Sequence, residues 1–225
     1  MKSGQLRRAM AAGIAFVVLF VAGVILNFSN SPEPKSGETS AAVAQKWVGY
    51  LASSGNRTTL IVSAYLLILA GLAFVWFTIG LRAWLAPDAP AGRVISHLGV
   101  LGAGAMATAA MAGASVAGAV SFGSNEPVPV DGDVIRVVMN LFFPFLFVVF
   151  GLVSAALIAT VALTVTRTSV LPRWVTYTAW IAVLGSLLGV AFLPFLLPLL
   201  WYLVLGIVGL RRASTASAAV TAPAT

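Results

Sequence analysis

The sequence predicts an all-α membrane protein: a polytopic bundle of six transmembrane helices, with a small extracytoplasmic loop that carries an interfacial helix. Three observations lead there. Of 225 residues, 60% are hydrophobic and only 8% are charged, against about 25% charged in a soluble domain. Mean hydropathy is +1.02, and the apolar residues fall in runs near the ~20 residues that a spanning helix needs. The charges sit in short clusters at the ends of those runs, where they set orientation. The net charge of +7 is therefore a membrane signal, and no nucleic-acid partner is expected. The chain has no cysteine, which excludes disulfides, thiolate metal sites and cysteine nucleophiles.

Residues 1–8 form a basic terminus with Lys2, Arg7 and Arg8, and the first span covers about 9–27. Its apolar core exceeds the ~7–15 residues of a signal peptide and lacks a small-residue cleavage pattern, so it reads as uncleaved. Residues 28–59 form an outer loop. Within it NSPEPKSGET (30–39) is irregular, while Ser40–Ala52 reads as a helix. Ser40 is placed to cap it, and Val43, Trp47, Tyr50 and Leu51 follow at three- and four-residue spacings. Trp and Tyr favour the bilayer interface, so this helix is expected on the outer surface; the alternative is a lead-in to the second span.

The second span covers about 60–82 and closes on Arg82, and the third covers about 97–121. Leu98–Ser121 is built almost entirely from glycine and alanine. Small residues let neighbouring backbones approach, so this helix is expected at the centre of the bundle. At 100° per residue Gly99, Ala103, Ala107, Ala110, Ala114, Ala117 and Ser121 share one side, while Leu98, Met106, Val116 and Val120 fall on a different one. The fourth span lies within 134–166, with Asp133 placed to cap it and Pro144 able to kink it. The last apolar run, Trp174–Leu210, divides near Pro194 and Pro198 into spans of about 174–192 and 195–210. The Ala/Ser/Thr-rich tail 211–225 is expected to be disordered.

Six spans put both termini on one side with Lys2, Arg7, Arg8, Arg82, Arg93, Arg167, Arg173, Arg211 and Arg212, which is 9 of the 13 basic residues. The positive-inside rule makes that side cytoplasmic. WFTIGLRAWL (Trp76–Leu85), LPRWVTYTAWIAVLGSLLG (Leu171–Gly189) and the small-residue third span together resemble an uncharacterised family of six-span bacterial membrane proteins. The resemblance implies a six-helix bundle in the bacterial plasma membrane. It brings no substrate, cofactor or catalytic residue.

Intramembrane ionisable residues mark ion pathways, and the six spans hold none in their interiors, which disfavours a proton- or sodium-coupled transporter. His97 is the sole histidine and reads as an interfacial side chain rather than a ligand. Gly102–Ala107 fits G-x-G-x-x-A in letters only, because the dinucleotide fingerprint needs a preceding strand. Asn140, four residues before Pro144, could satisfy backbone freed by the proline, bond a neighbouring helix, or line a polar cavity. Outside the membrane Glu126, Asp131 and Asp133 could hold a cation or perform acid–base work, or serve only as a capped loop. No cofactor is expected. The leading reading is a non-enzymatic membrane protein that binds a protein partner or a small apolar or lipid molecule. The alternatives are a facilitator or channel for a neutral solute using Asn140 and the broken fourth span, and a lipid-processing enzyme using the outer carboxylates.

Overall fold

The computed structural model describes residues 3–29, 31–32, 35–87, 89–122, 131–168, 170–189 and 194–221. These are helical almost throughout, with no strand among them: α1 (Ser3–Phe28), α2 (Ser40–Ala52), α3 (Ser54–Leu85), α4 (Pro90–Phe122), α5 (Gly132–Phe143), a π segment (Pro144–Val149), α6 (Phe150–Thr168), α7 (Arg173–Leu187) and α8 (Leu196–Thr221). Among the described residues, five stretches are long and apolar enough to cross a membrane: Gly4–Phe28, Ser54–Leu85, Pro90–Val120, Gly132–Thr168 and Leu196–Thr215. The segment expected to supply a sixth appears as α7. Its 15 residues rise about 22 Å, short of a hydrocarbon core of about 30 Å.

Several local expectations need correction. Thr39, not Ser40, caps α2, its hydroxyl accepting from the Ala42 amide at 3.3 Å. Asp131, not Asp133, caps α5, accepting from the Asp133 amide at 2.9 Å. The helix therefore starts one residue before Asp133, because Gly132 can occupy its first position. Pro144 opens a six-residue π segment. Its ring would clash with the carbonyl four residues back in an α-helix, and the wider turn takes up that crowding. Finally α8 runs on through Arg211 and Arg212 to Thr221, where a disordered tail is expected. An Ala-rich segment extends an existing helix readily, because nucleation is already complete.

The long helices pack in chain order as a ring: α1 on α3, α3 on α4, α4 on α6, α6 on α7, α7 on α8, and α8 back on α1. The middle of the ring is aromatic. Phe16 lies 4.7 Å from Phe74 and 5.7 Å from Tyr202, ring centre to ring centre. Phe20 lies 5.5 Å from Phe150, and Phe147 5.1 Å from Phe195. All of these side chains are fully or almost fully buried. The Gly/Ala helix is thus one wall of the ring rather than its centre. Having neighbours on both flanks, α4 buries its bulky Met106 and Val116 as well as its small residues; Val100, Leu101 and Met111 face outward.

Glycines set the closest approaches. Gly80 of α3 meets Ala9 of α1, and Gly209 of α8 meets Met10, so a Cβ at either would collide. These contacts, with the hydrogen bond from Arg212 to the Val170 carbonyl, gather Arg7, Arg8, Arg82, Arg93, Arg167, Arg173, Arg211 and Arg212 at one end of the bundle. The antiparallel pair α7–α8 rises from that end. Its helices stop level with Phe147 and Gly151 of the fourth crossing: a Cβ on Gly151 would lie 2.9 Å from the Ser186 carbonyl, and one on Gly189 3.2 Å from that of Phe147.

Candidate ligand cavity

At the opposite end α2 folds down onto α5. Gly132 permits this, since a Cβ there would lie 3.0 Å from that of Ala44. Trp47, Tyr50 and Leu51 of α2 are buried with Leu60, Val116, Ala117, Ile135 and Met139. The C-terminal carbonyls of α2 are met from α3, where Arg57 donates to Leu51 at 2.7 Å and Ala52 at 3.0 Å, and Asn56 to Tyr50 at 2.9 Å. The helix is therefore a separate element and not a lead-in to α3.

Between α1, α2 and α5 lies a cavity of about 600 Å³. Asn27 and Phe28 come from the end of α1, Ser31 and Pro32 from the turn after it, Glu38, Ser40, Val43 and Trp47 from α2 and its approach, and Arg136, Met139, Asn140, Phe142 and Phe143 from α5. One wall is polar and the floor is aromatic. Helical spacing on α5 produces this division, with Asp133, Arg136 and Asn140 on one side and Ile135, Met139 and Phe142 on the other.

Glu38 accepts from Lys46 Nζ at 2.5 and 2.8 Å and from the Lys35 backbone amide at 3.0 Å. Those bonds, the Lys46 contact foremost, hold its carboxyl below the usual range. Arg136 reaches Asp133 through Nη2 at 3.4 Å, yet its Nε is shut off from solvent without an acceptor. Asn140 is exposed and makes no side-chain hydrogen bond among the described residues, so it satisfies neither the backbone near Pro144 nor a neighbouring helix.

The acidic cluster does not form as a pair of free carboxylates. Asp131 is occupied as a cap, and Asp133 faces Arg136 and accepts from Ser40 at 3.5 Å. Glu126 lies outside the described residues. Of the small-residue stripe, Gly99, Ala110 and Ala117 are buried and Ala103, Ala107 and Ala114 half-buried. Gly99 presses on Thr78, and Ala103 sits 3.4 Å from the place a Cβ on Gly71 would take. His97 is exposed. The cavity-lining roles of Trp47 and Arg136 were missed in the sequence. The available signal was the four-residue step from Arg136 to Asn140, which places both on one helix face. The chain matches no protein-family model, no curated protein and no solved structure.

Proposed function

We propose that this chain is a multi-pass protein of a bacterial plasma membrane, with both termini cytoplasmic, that binds a lipid or another small apolar molecule in the cavity between α1, α2 and α5. The observation that carries this reading is the cavity's mixed lining, polar on one wall and aromatic on the floor, which suits an amphipathic ligand. The aromatic packing along the ring axis favours binding over passage of a neutral solute. The occupied carboxylates of Asp131 and Asp133 favour binding over acid–base chemistry.

The α7–α8 hairpin enters from the arginine end and returns to it, so the C-terminus lies on the same side as the N-terminus. The clustering of arginines there supports the cytoplasmic assignment, and α2 then lies at the outer interface. The bacterial plasma membrane rests on the resemblance carried by Trp76–Leu85 and Leu171–Gly189. A cysteine replacing Ser36 should react with an impermeant thiol reagent on intact cells and one replacing Ala89 should not; the reverse pattern overturns the orientation.

Native mass spectrometry of the full chain, extracted in mild detergent, tests binding. The wild type should retain an adduct of lipid mass, and Asn140→Trp, which fills the cavity from an exposed position, should lose most of it. No adduct on the wild type, or equal adducts on both, overturns the reading.

A further inference from the structure

We propose that the ligand is a glycerophospholipid whose phosphate is held by Arg136 and Asn140 and whose acyl chain lies against the aromatic floor of the same cavity. The inference rests on the binding reading above and gives its ligand a chemical class.

Arg136 carries the headgroup argument. Its side chain lines the cavity and is 33% exposed. Its protein partner, Asp133, is held at 3.4 Å through Nη2 and has a side chain 62% exposed. Such an exposed pair is weak. The planar fork of donors matches a phosphate better than a point charge does. Asn140 stands one turn further along the same face, within about 5–6 Å at the Cβ atoms, and its amide is unengaged. Glu38, across the cavity, does not compete for Arg136, because its carboxylate is already bonded to Lys46 and the Lys35 amide.

The chain argument follows the aromatic floor. Phe28 packs against Phe142 at 5.7 Å and against Phe147 at 6.2 Å. Phe142 and Phe143 line the same cavity as Arg136 and Asn140. Polar donors on one wall and an aromatic floor beside them select a phosphate that carries an acyl chain over a free one.

Binding by the detergent-solubilised full chain is measured with phosphatidylglycerol, with diacylglycerol of the same chains, and with glycerol 3-phosphate as competitor. Loss of a charge-assisted phosphate contact weakens binding by about tenfold or more. The wild type should prefer phosphatidylglycerol to diacylglycerol by that factor. Arg136→Gln should abolish the preference, and a thermal unfolding curve in detergent that matches the wild type's reports an intact fold. Arg136→Lys should fall between. Glycerol 3-phosphate should not displace the lipid. An equal preference in wild type and Arg136→Gln, or full displacement by glycerol 3-phosphate, overturns this proposal and leaves the binding reading standing. A wild type that binds neither lipid overturns both.

Discussion

The hydroxyl of Ser63 on α3 donates a 2.8 Å hydrogen bond to the backbone carbonyl of Gly23 on α1. The bond is buried, and it forms because Gly23 lets the two backbones close up: a Cβ there would lie 2.9 Å from Leu67 Cγ and 3.3 Å from the Ser63 carbonyl. Interhelical hydrogen bonds in membranes average about 0.6 kcal/mol, whereas overpacking costs about 1–3 kcal/mol. Gly23→Val should therefore lower thermal stability in detergent more than Ser63→Ala. The opposite order would mean that the bond, not the close approach, holds α1 to α3.

Two glycines on α4 separate packing from propensity. Gly99 abuts Thr78, so Gly99→Ala should destabilise by about 1–3 kcal/mol. A methyl added at Gly104 would meet nothing within 4 Å. Gly104→Ala should be neutral or stabilise by up to about 1 kcal/mol through backbone entropy. Unfolding in detergent checks both, and equal losses would contradict the open space beside Gly104.

Asn140 and Pro144 sit four residues apart, yet Asn140 is turned into the cavity. A double-mutant cycle should show Asn140→Ala and Pro144→Ala acting additively on stability, within about 0.5 kcal/mol. A larger coupling would return Asn140 to a backbone-satisfying role.

Glu38 gives the α2 approach a pH dependence. Its folded pKa lies below the ordinary 4.5, chiefly through Lys46 and then the Lys35 amide. The stabilisation is therefore complete above about 4.5 and is lost as pH falls through the lower folded value. Amide protection over residues 35–46, taken relative to the intrinsic exchange rate at each pH, should fall only in that acid window. Glu38→Gln should show the reduced protection already at pH 7. Wild-type protection that is already lost at pH 6 would contradict the ion pair's role.

Periodicity and charge made much of this architecture legible. The runs ending at Arg82 and beginning near Arg173 are bounded by charges that need water, and the helix at Ser40–Ala52 announces itself through Trp47, Tyr50 and Leu51. The centre of the bundle was not legible. Phe16, Phe74, Phe150 and Tyr202 sit on four different helices, and no spacing within one helix tells which bulky residue faces lipid and which faces protein, because both environments are apolar. Met106 shows the same ambiguity in reverse. The cavity was half legible: Asn140 stood out as a polar residue within a span, but its pairing with Arg136 and Trp47 depends on α2 folding back over α5.

The α7–α8 hairpin has an electrical consequence. A helix end carries roughly half an elementary charge, negative at the C-terminus and positive at the N-terminus. The C-terminal end of α7 and the N-terminal end of α8 stop side by side, close enough that a Cβ on Gly185 would lie 2.6 Å from the Pro194 carbonyl. Each pole is screened by its opposite within the low-dielectric interior, where a lone helix end would project its field furthest. The pair can thus end at the level of Phe147 without a side-chain charge or a water-filled pocket to neutralise it.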